Sequence, residues 1–156
     1  MKHWAGGLIL GLLLATGCSS APPARPHAIY VKPVSPKALV SLAKKQIGTP
    51  YRYGGETPKG GFDCSGLVWW CYQQLGSSAP RSAHLLYATG RHIKSSELQA
   101  GDLVFFNIGG TPPAHVGIAV DHKDFVHAPS TGGKVRIDSL TNVYWSKHYY
   151  GARRIE

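Results

Sequence analysis

One cysteine stands in a setting that can make it a nucleophile, in Gly61-Phe62-Asp63-Cys64-Ser65-Gly66-Leu67-Val68. The glycine-flanked turn and the apolar run behind it read as the start of a buried helix. A thiol placed there faces unpaired backbone N–H groups and the positive end of the helix dipole, both of which favour the thiolate that attacks carbonyls. Such a nucleophile needs a base, and a third polar group to fix the base's tautomer and angle. The chain has eight histidines; His84, His92, His115, His127 and His148 are the candidates. His115 lies in Ala114-His115-Val116-Gly117-Ile118-Ala119-Val120, where alternation assigns Val116, Ile118 and Val120 to the core. His115 then shares the opposite face with Gly117 and Ala119, small neighbours that leave room for a substrate or for the Cys64 helix. His127 follows in Asp124-Phe125-Val126-His127-Ala128, on the next expected antiparallel strand.

Strand parity decides whether the two imidazoles can meet. A two-residue turn at His122-Lys123 puts His127 on the face of Ile118, away from His115. A three-residue loop from Asp121 to Lys123 puts it opposite Gly117, diagonal to His115. A Cys64–His115–His127 triad therefore requires the odd-length connection. The same three side chains are also a conceivable zinc site, but the close Cys-x-x-Cys or His-x-x-x-His spacing of strong zinc motifs is missing. No metal or organic cofactor is expected. Cys71, two turns along the same helix, is out of disulfide reach of Cys64 and falls on the Leu67/Cys71/Leu75 stripe as a small buried hydrophobe.

The elements that must position these residues are legible in outline. Ser35-Pro36 opens a first helix, with Ser35 as cap, Pro36 at the first position and Gly48 closing it. Residues 49–62 form a Gly- and Pro-rich loop. The second helix runs from about Cys64 to Leu75, capped by Asp63 and ended by Gly76. A third spans Ser82 to Thr89. Beyond Gly101 the period changes, and Asp102–Asn107, Ala114–Asp121, Asp124–Ala128, Lys134–Asp138 and Tyr149–Ile155 read as strands. Helices first and strands second predict an α+β fold, with N-terminal helices packed on a five- to six-stranded antiparallel sheet.

The N-terminal end reads as an address. Lys2 and His3 precede an apolar stretch, Leu8 to Ala15, too short to span a bilayer. Leu14-Ala15-Thr16-Gly17-Cys18 resembles a bacterial lipobox, with Ala15 where Leu is usual and Ser19 in the position that favours the outer membrane. Residues 1–17 are then a signal peptide, Cys18 the lipidated first residue, 18–34 a Pro/Ala/Ser-rich tether and 35–156 the catalytic domain. Lipid chains on Cys18 would anchor the protein stably. The net charge of +9 falls to +8 when Lys2 is removed. The basic residues are dispersed and no nucleic-acid-binding motif occurs, so an anionic wall polymer or lipid surface is the expected partner.

Several ordered blocks resemble the NlpC/P60 family of cell-wall cysteine peptidases, across about residues 38 to 156. They are Gly48-Thr49-Pro50-Tyr51-Arg52-Tyr53-Gly54-Gly55, Phe62-Asp63-Cys64-Ser65-Gly66-Leu67-Val68, Gly101-Asp102-Leu103-Val104-Phe105-Phe106, His115-Val116-Gly117-Ile118 and Phe125-Val126-His127-Ala128. The likeness extends to the family's small lipoprotein branch. The resemblance implies a papain-like fold and hydrolysis of peptidoglycan stem peptides, usually between D-glutamate and diaminopimelate. It implies Cys64 as nucleophile, His115 as base and His127 as the third polar residue. Tyr51 matches the tyrosine beside the active site, Asp63 and Ser65 match groove-lining positions, and Arg81, in Ala79-Pro80-Arg81-Ser82, is a candidate for a stem carboxylate. Ala119 replaces a common tyrosine. Rival uses of the same residues are a muramoyl-alanine amidase, an acyltransferase on lipid, or a wall-binding lipoprotein without catalysis. Some restraint on wall cleavage is expected, and whether a regulatory protein partner supplies it is unknown from the sequence.

Overall fold

The computed structural model describes residues 30–156, together with Met1. The expected signal peptide, Cys18 and the expected tether as far as residue 29 lie, Met1 apart, outside the described residues. The packed domain begins at Val31, which is buried in the core, and the Lys32 carbonyl accepts from Ser77 Oγ at 2.7 Å. No helix among the described residues is long and apolar enough to cross a membrane.

Helix α1 (Pro36–Lys44) starts as its sequence dictates, with Ser35 Oγ accepting the Ala38 N–H, and buries Leu39 and Ala43. It ends short of Gly48, the last residues closing as a turn. A two-stranded ribbon, β1 (Glu56–Thr57) and β2 (Gly61–Phe62), leads into α2 (Cys64–Gln74). Asp63 caps α2, whose inner face is Leu67, Val68, Cys71 and Tyr72, and Gly76 takes a positive φ just beyond it. Helix α3 (Ala83–Tyr87) is capped by Ser82 and is shorter than the expected run to Thr89.

The sheet contains β3 (Arg91–Ile93), β4 (Leu103–Phe106), β5 (His115–Ala119), β6 (Asp124–His127), β7 (Arg136–Ser139) and β8 (Tyr149–Arg154). All pairs are antiparallel, in the order β3-β8-β4-β5-β6-β7. The fold is α+β, and the five expected strands form close to their expected places. The short polar segment of β3 becomes a strand only by pairing with β8. Helix α4 (Val143–His148), in the β7–β8 connection, was not expected either.

The alternation in β5 suggested one core face, whereas the sheet has two. Leu103, Phe105, Val116, Ile118 and Val126 pack with Leu67 and Val68 of α2. Val104, Phe106, Ala119 and Phe125 form a second cluster under Trp145 of α4. Every residue of β5 is therefore buried. His115 packs its ring against this second cluster, and only 4% of its surface is exposed. The sheet is tied to the preceding turn by Asp102, whose buried carboxylate accepts from Arg154 at 2.6 and 2.8 Å and from the Gln99 N–H at 2.8 Å. Such a carboxylate is tolerable only while its partners remain.

Candidate active site

The Cys64 side of the site is held by one carboxylate. Asp63 Oδ1 accepts the Gly66 N–H at 2.6 Å and Oδ2 the Gly54 N–H at 3.0 Å. Arg81 grips both oxygens, Nη1 to Oδ1 at 2.8 Å and Nη2 to Oδ2 at 3.0 Å. Its other N–H groups go to Glu56, Ser65 Oγ and the Gly55 carbonyl. A guanidinium has five N–H donors, and all five are engaged within the protein. Arg81 thus has no free N–H for a stem carboxylate, and its place in the structure is to fix Asp63. Ser65 is likewise committed, donating to the Arg81 carbonyl at 2.8 Å. The loop can approach this closely only because residue 66 is glycine: a Cβ there would collide with the Gly55 carbonyl and crowd Arg81.

This framework sets Cys64 in the wall of a cavity of about 580 Å³, lined also by Tyr51, Asp63, Ser65 and Arg81. The four residues expected to bind substrate are therefore gathered around the thiol. Tyr51 has a raised pKa, from partial burial first and then from its nearness to Cys64 and Asp63. Burial raises the Cys64 pKa as well, and Asp63 adds to that. The backbone N–H groups of Val116, Ser65 and Cys64 itself pull it down. The helix-start effect is present but burial outweighs it, so the resting group is a thiol. Cys71 lies fully buried in the core, its pKa pushed up to about 12 by burial.

On the other side, the connection after β5 has the odd length that a triad requires. Val120 N–H bonds the Asp124 carbonyl at 2.8 Å around residues 121–123, and Ile118 pairs with Val126. That register sets His127 beside Gly117, where an added Cβ would lie 3.2 Å from the His127 Cβ and 2.6 Å from the Phe125 ring. His115 Nε2 and His127 Nδ1 are 2.8 Å apart. The Val116 N–H, one residue from His115, lies near enough to the Cys64 thiol to pull its pKa down; among the described residues no hydrogen bond joins the thiol to the imidazole itself.

Sequence reasoning missed what lies behind the two rings. His127 Nε2 meets Asp138 Oδ2 at 3.0 Å, and the same oxygen accepts the Trp145 indole N–H at 2.9 Å. Arg136 Nε donates to both Asp138 oxygens at 3.1 and 3.0 Å. Trp145 also stacks on His115, with ring centroids 5.6 Å apart. Burial raises the Asp138 pKa, but Arg136 and His127 pull it down further, and the net direction is down. His115 is pushed down to about 3, by burial first and then by the positive potential of His127 and Arg136. His127 is pushed down to about 4 by burial, against the pull of Asp138. Both rings are neutral at pH 7. Among the described residues, no group of three or more His, Cys, Asp or Glu is arranged to hold a metal ion.

The strand-borne His115–His127 pair and the cysteine at the start of α2 thus sit in one α+β domain. The pattern of the NlpC/P60 family matches residues 48–154. The chain belongs to this family. Murein DD-endopeptidase MepH of Escherichia coli is 45% identical over 123 residues, covering 76% of this chain and 45% of that protein. Probable endopeptidase NlpC of E. coli is 42% identical over 153 residues, covering 95% and 96%. The crystal structure of an NlpC/P60 family protein from Bacillus cereus superposes with a TM-score of 0.71 at 29% identity, covering 79% of this chain and 41% of that one. The chain thus spans less than half of the longer relatives and almost the whole of NlpC.

The buried histidines give this NlpC/P60 domain an acid-labile centre. Their folded pKa values lie below the ordinary 6.5, so the unfolded chain binds protons that the folded chain refuses. The associated stability is complete above pH about 6.5 and is lost on acidification towards the folded values, at roughly 1 kcal/mol per pH unit for each ring that titrates independently. Urea unfolding between pH 7 and pH 4.5 should show this loss, and His127→Gln should reduce its slope. A slope unchanged by that substitution would contradict the assignment.

Proposed function

We propose that this chain is a cysteine endopeptidase acting on peptidoglycan stem peptides. The observation carrying the reading is that Cys64, at the start of α2, shares one cavity with Tyr51 and Asp63 and lies beside β5, the strand that begins with His115, whose ring pairs with His127 of β6. Cys64 Sγ attacks the amide carbonyl as its proton passes to His115. The N–H groups around the thiol are suited to receive the developing oxyanion. His115 returns the proton to the leaving amine, giving a thioester, and then draws a proton from the water that hydrolyses it. His127 orients His115. Tyr51, Asp63 and Ser65 shape the groove, with Arg81 holding Asp63 in place.

The bond is proposed to be that between D-glutamate and diaminopimelate, as the sequence resemblance implies. The name of the 45% identical relative, a murein DD-endopeptidase, favours a second reading in which a crosslink between two D-centres is cut. The expected setting is the periplasmic side of the outer membrane, with lipid on Cys18. The lipobox-like Leu14-Ala15-Thr16-Gly17-Cys18-Ser19 supports that placement.

Purified protein incubated with defined crosslinked and uncrosslinked muropeptides, with products identified by mass, tests the activity and names the bond. Cys64→Ala is expected to lower the rate by at least about 10³-fold; a variant that keeps full activity would refute the thiol mechanism. Release of intact stem peptide from muramic acid would instead assign an amidase. Cells fed radiolabelled palmitate should label the wild type and not Cys18→Ser, and an unlabelled wild type would refute the anchor.

A further inference from the structure

We infer that Asp138 is a positioning residue for this reaction, fixing the tautomers of both buried histidines so that Nδ1 of His115 is the bare nitrogen that takes the Cys64 proton. The inference rests on the proposed role of His115 as base. It follows from counting protons along a chain of contacts. A carboxylate can only accept hydrogen bonds. The 3.0 Å contact between Asp138 Oδ2 and His127 Nε2 therefore requires the proton on Nε2. A neutral imidazole carries one N–H, so His127 Nδ1 is bare and must accept. Its 2.8 Å partner, His115 Nε2, is then the donor. Of the two bare nitrogens in the pair, His127 Nδ1 is occupied by that bond, and His115 Nδ1 is the one left with no hydrogen-bond partner among the described residues.

The rest of the surroundings hold this order in one direction. Asp138 receives the Trp145 N–H and two donors of Arg136, Nε and Nη2, the latter at 3.0 Å from Oδ2. These donors keep it an acceptor and keep its oxygens in place. Trp145 covers the two imidazole rings, with centroids 5.6 and 4.8 Å away, while Asp138 remains partly exposed beside them. When the S–H bond of Cys64 breaks and an N–H bond forms at His115 Nδ1, His115 becomes an imidazolium. The Asp138 charge stabilises it through the intervening neutral His127, and no proton need move further along the chain.

Two measurements on the full-length protein test this. ¹⁵N-histidine spectra of the wild type at neutral pH, assigned with single histidine substitutions, should show both rings neutral and protonated at Nε2. A protonated Nδ1 on neutral His115 would overturn the inference whatever the variants do. Asp138→Asn and Asp138→Ala should lower kcat about 10²-fold with KM little changed, disturb the His115 signal, and be partly rescued in Asp138→Glu. If folded Asp138→Asn and Asp138→Ala keep kcat within about twofold of wild type while Cys64→Ala is dead, this inference fails and the thiol mechanism stands. If Cys64→Ala is itself active, the mechanism beneath it fails.

Discussion

Three hydrogen-bonding side chains, His115, His127 and Asp138, run in line through a sheet face that is otherwise apolar. A buried polar group left without a partner costs about 1–3 kcal/mol, and more if charged. The line is therefore acceptable only if every contact in it is made at once. Much of the C-terminal half of the domain serves that condition. Gly117 leaves space for His127, the β6–β7 register places Asp138 across from Phe125 and next along from His127, and α4 delivers Trp145 as both lid and donor. The reward is preorganisation: a base held by packing needs little rearrangement when the thiol reacts.

The nucleophile is supported by a separate framework with the same logic. Asp63 satisfies the helix start while Arg81 neutralises it and ties it to Glu56 and the Gly55 carbonyl. The two frameworks come together where the start of β5 runs beside Cys64, close enough for the Val116 N–H to pull the thiol pKa down. That division explains the pKa pattern. Cys64 is raised and the histidines are lowered by the same cause, removal from water, so both partners rest neutral and charge separation is deferred to the moment of attack.

Local chemistry was readable in the sequence wherever short-range rules govern it. Ser35, Asp63 and Ser82 cap the helices they were expected to cap, Cys71 is core, and the loop after Val120 has the odd length that a Cys64–His115–His127 triad required. His115 lies on the expected face, opposite Val116 and Ile118, but its burial was not foreseen, because a sheet buried on both faces lacks the polar side that alternation is used to find. Asp138 and Trp145 were invisible for another reason. Residues 128–135 join β6 to β7 without a fixed turn type, so the register that pairs His127 with Arg136 cannot be counted from the chain. A helix as short as α4 carries too little periodicity to announce which residue it buries. Arg81 illustrates a third limit: its type fits a carboxylate, and only the structure shows that the carboxylate is Asp63.

The central claim is that His115 is the base for Cys64. The most direct measurement is the rate of Cys64 alkylation by iodoacetamide at neutral pH, compared between the wild type and the similarly sized His115→Gln variant, with Cys71 too buried to contribute. The expected result is a loss of about 10²-fold or more on substitution. An unchanged rate in a folded variant would contradict the claim, because the thiol would then be activated without the imidazole.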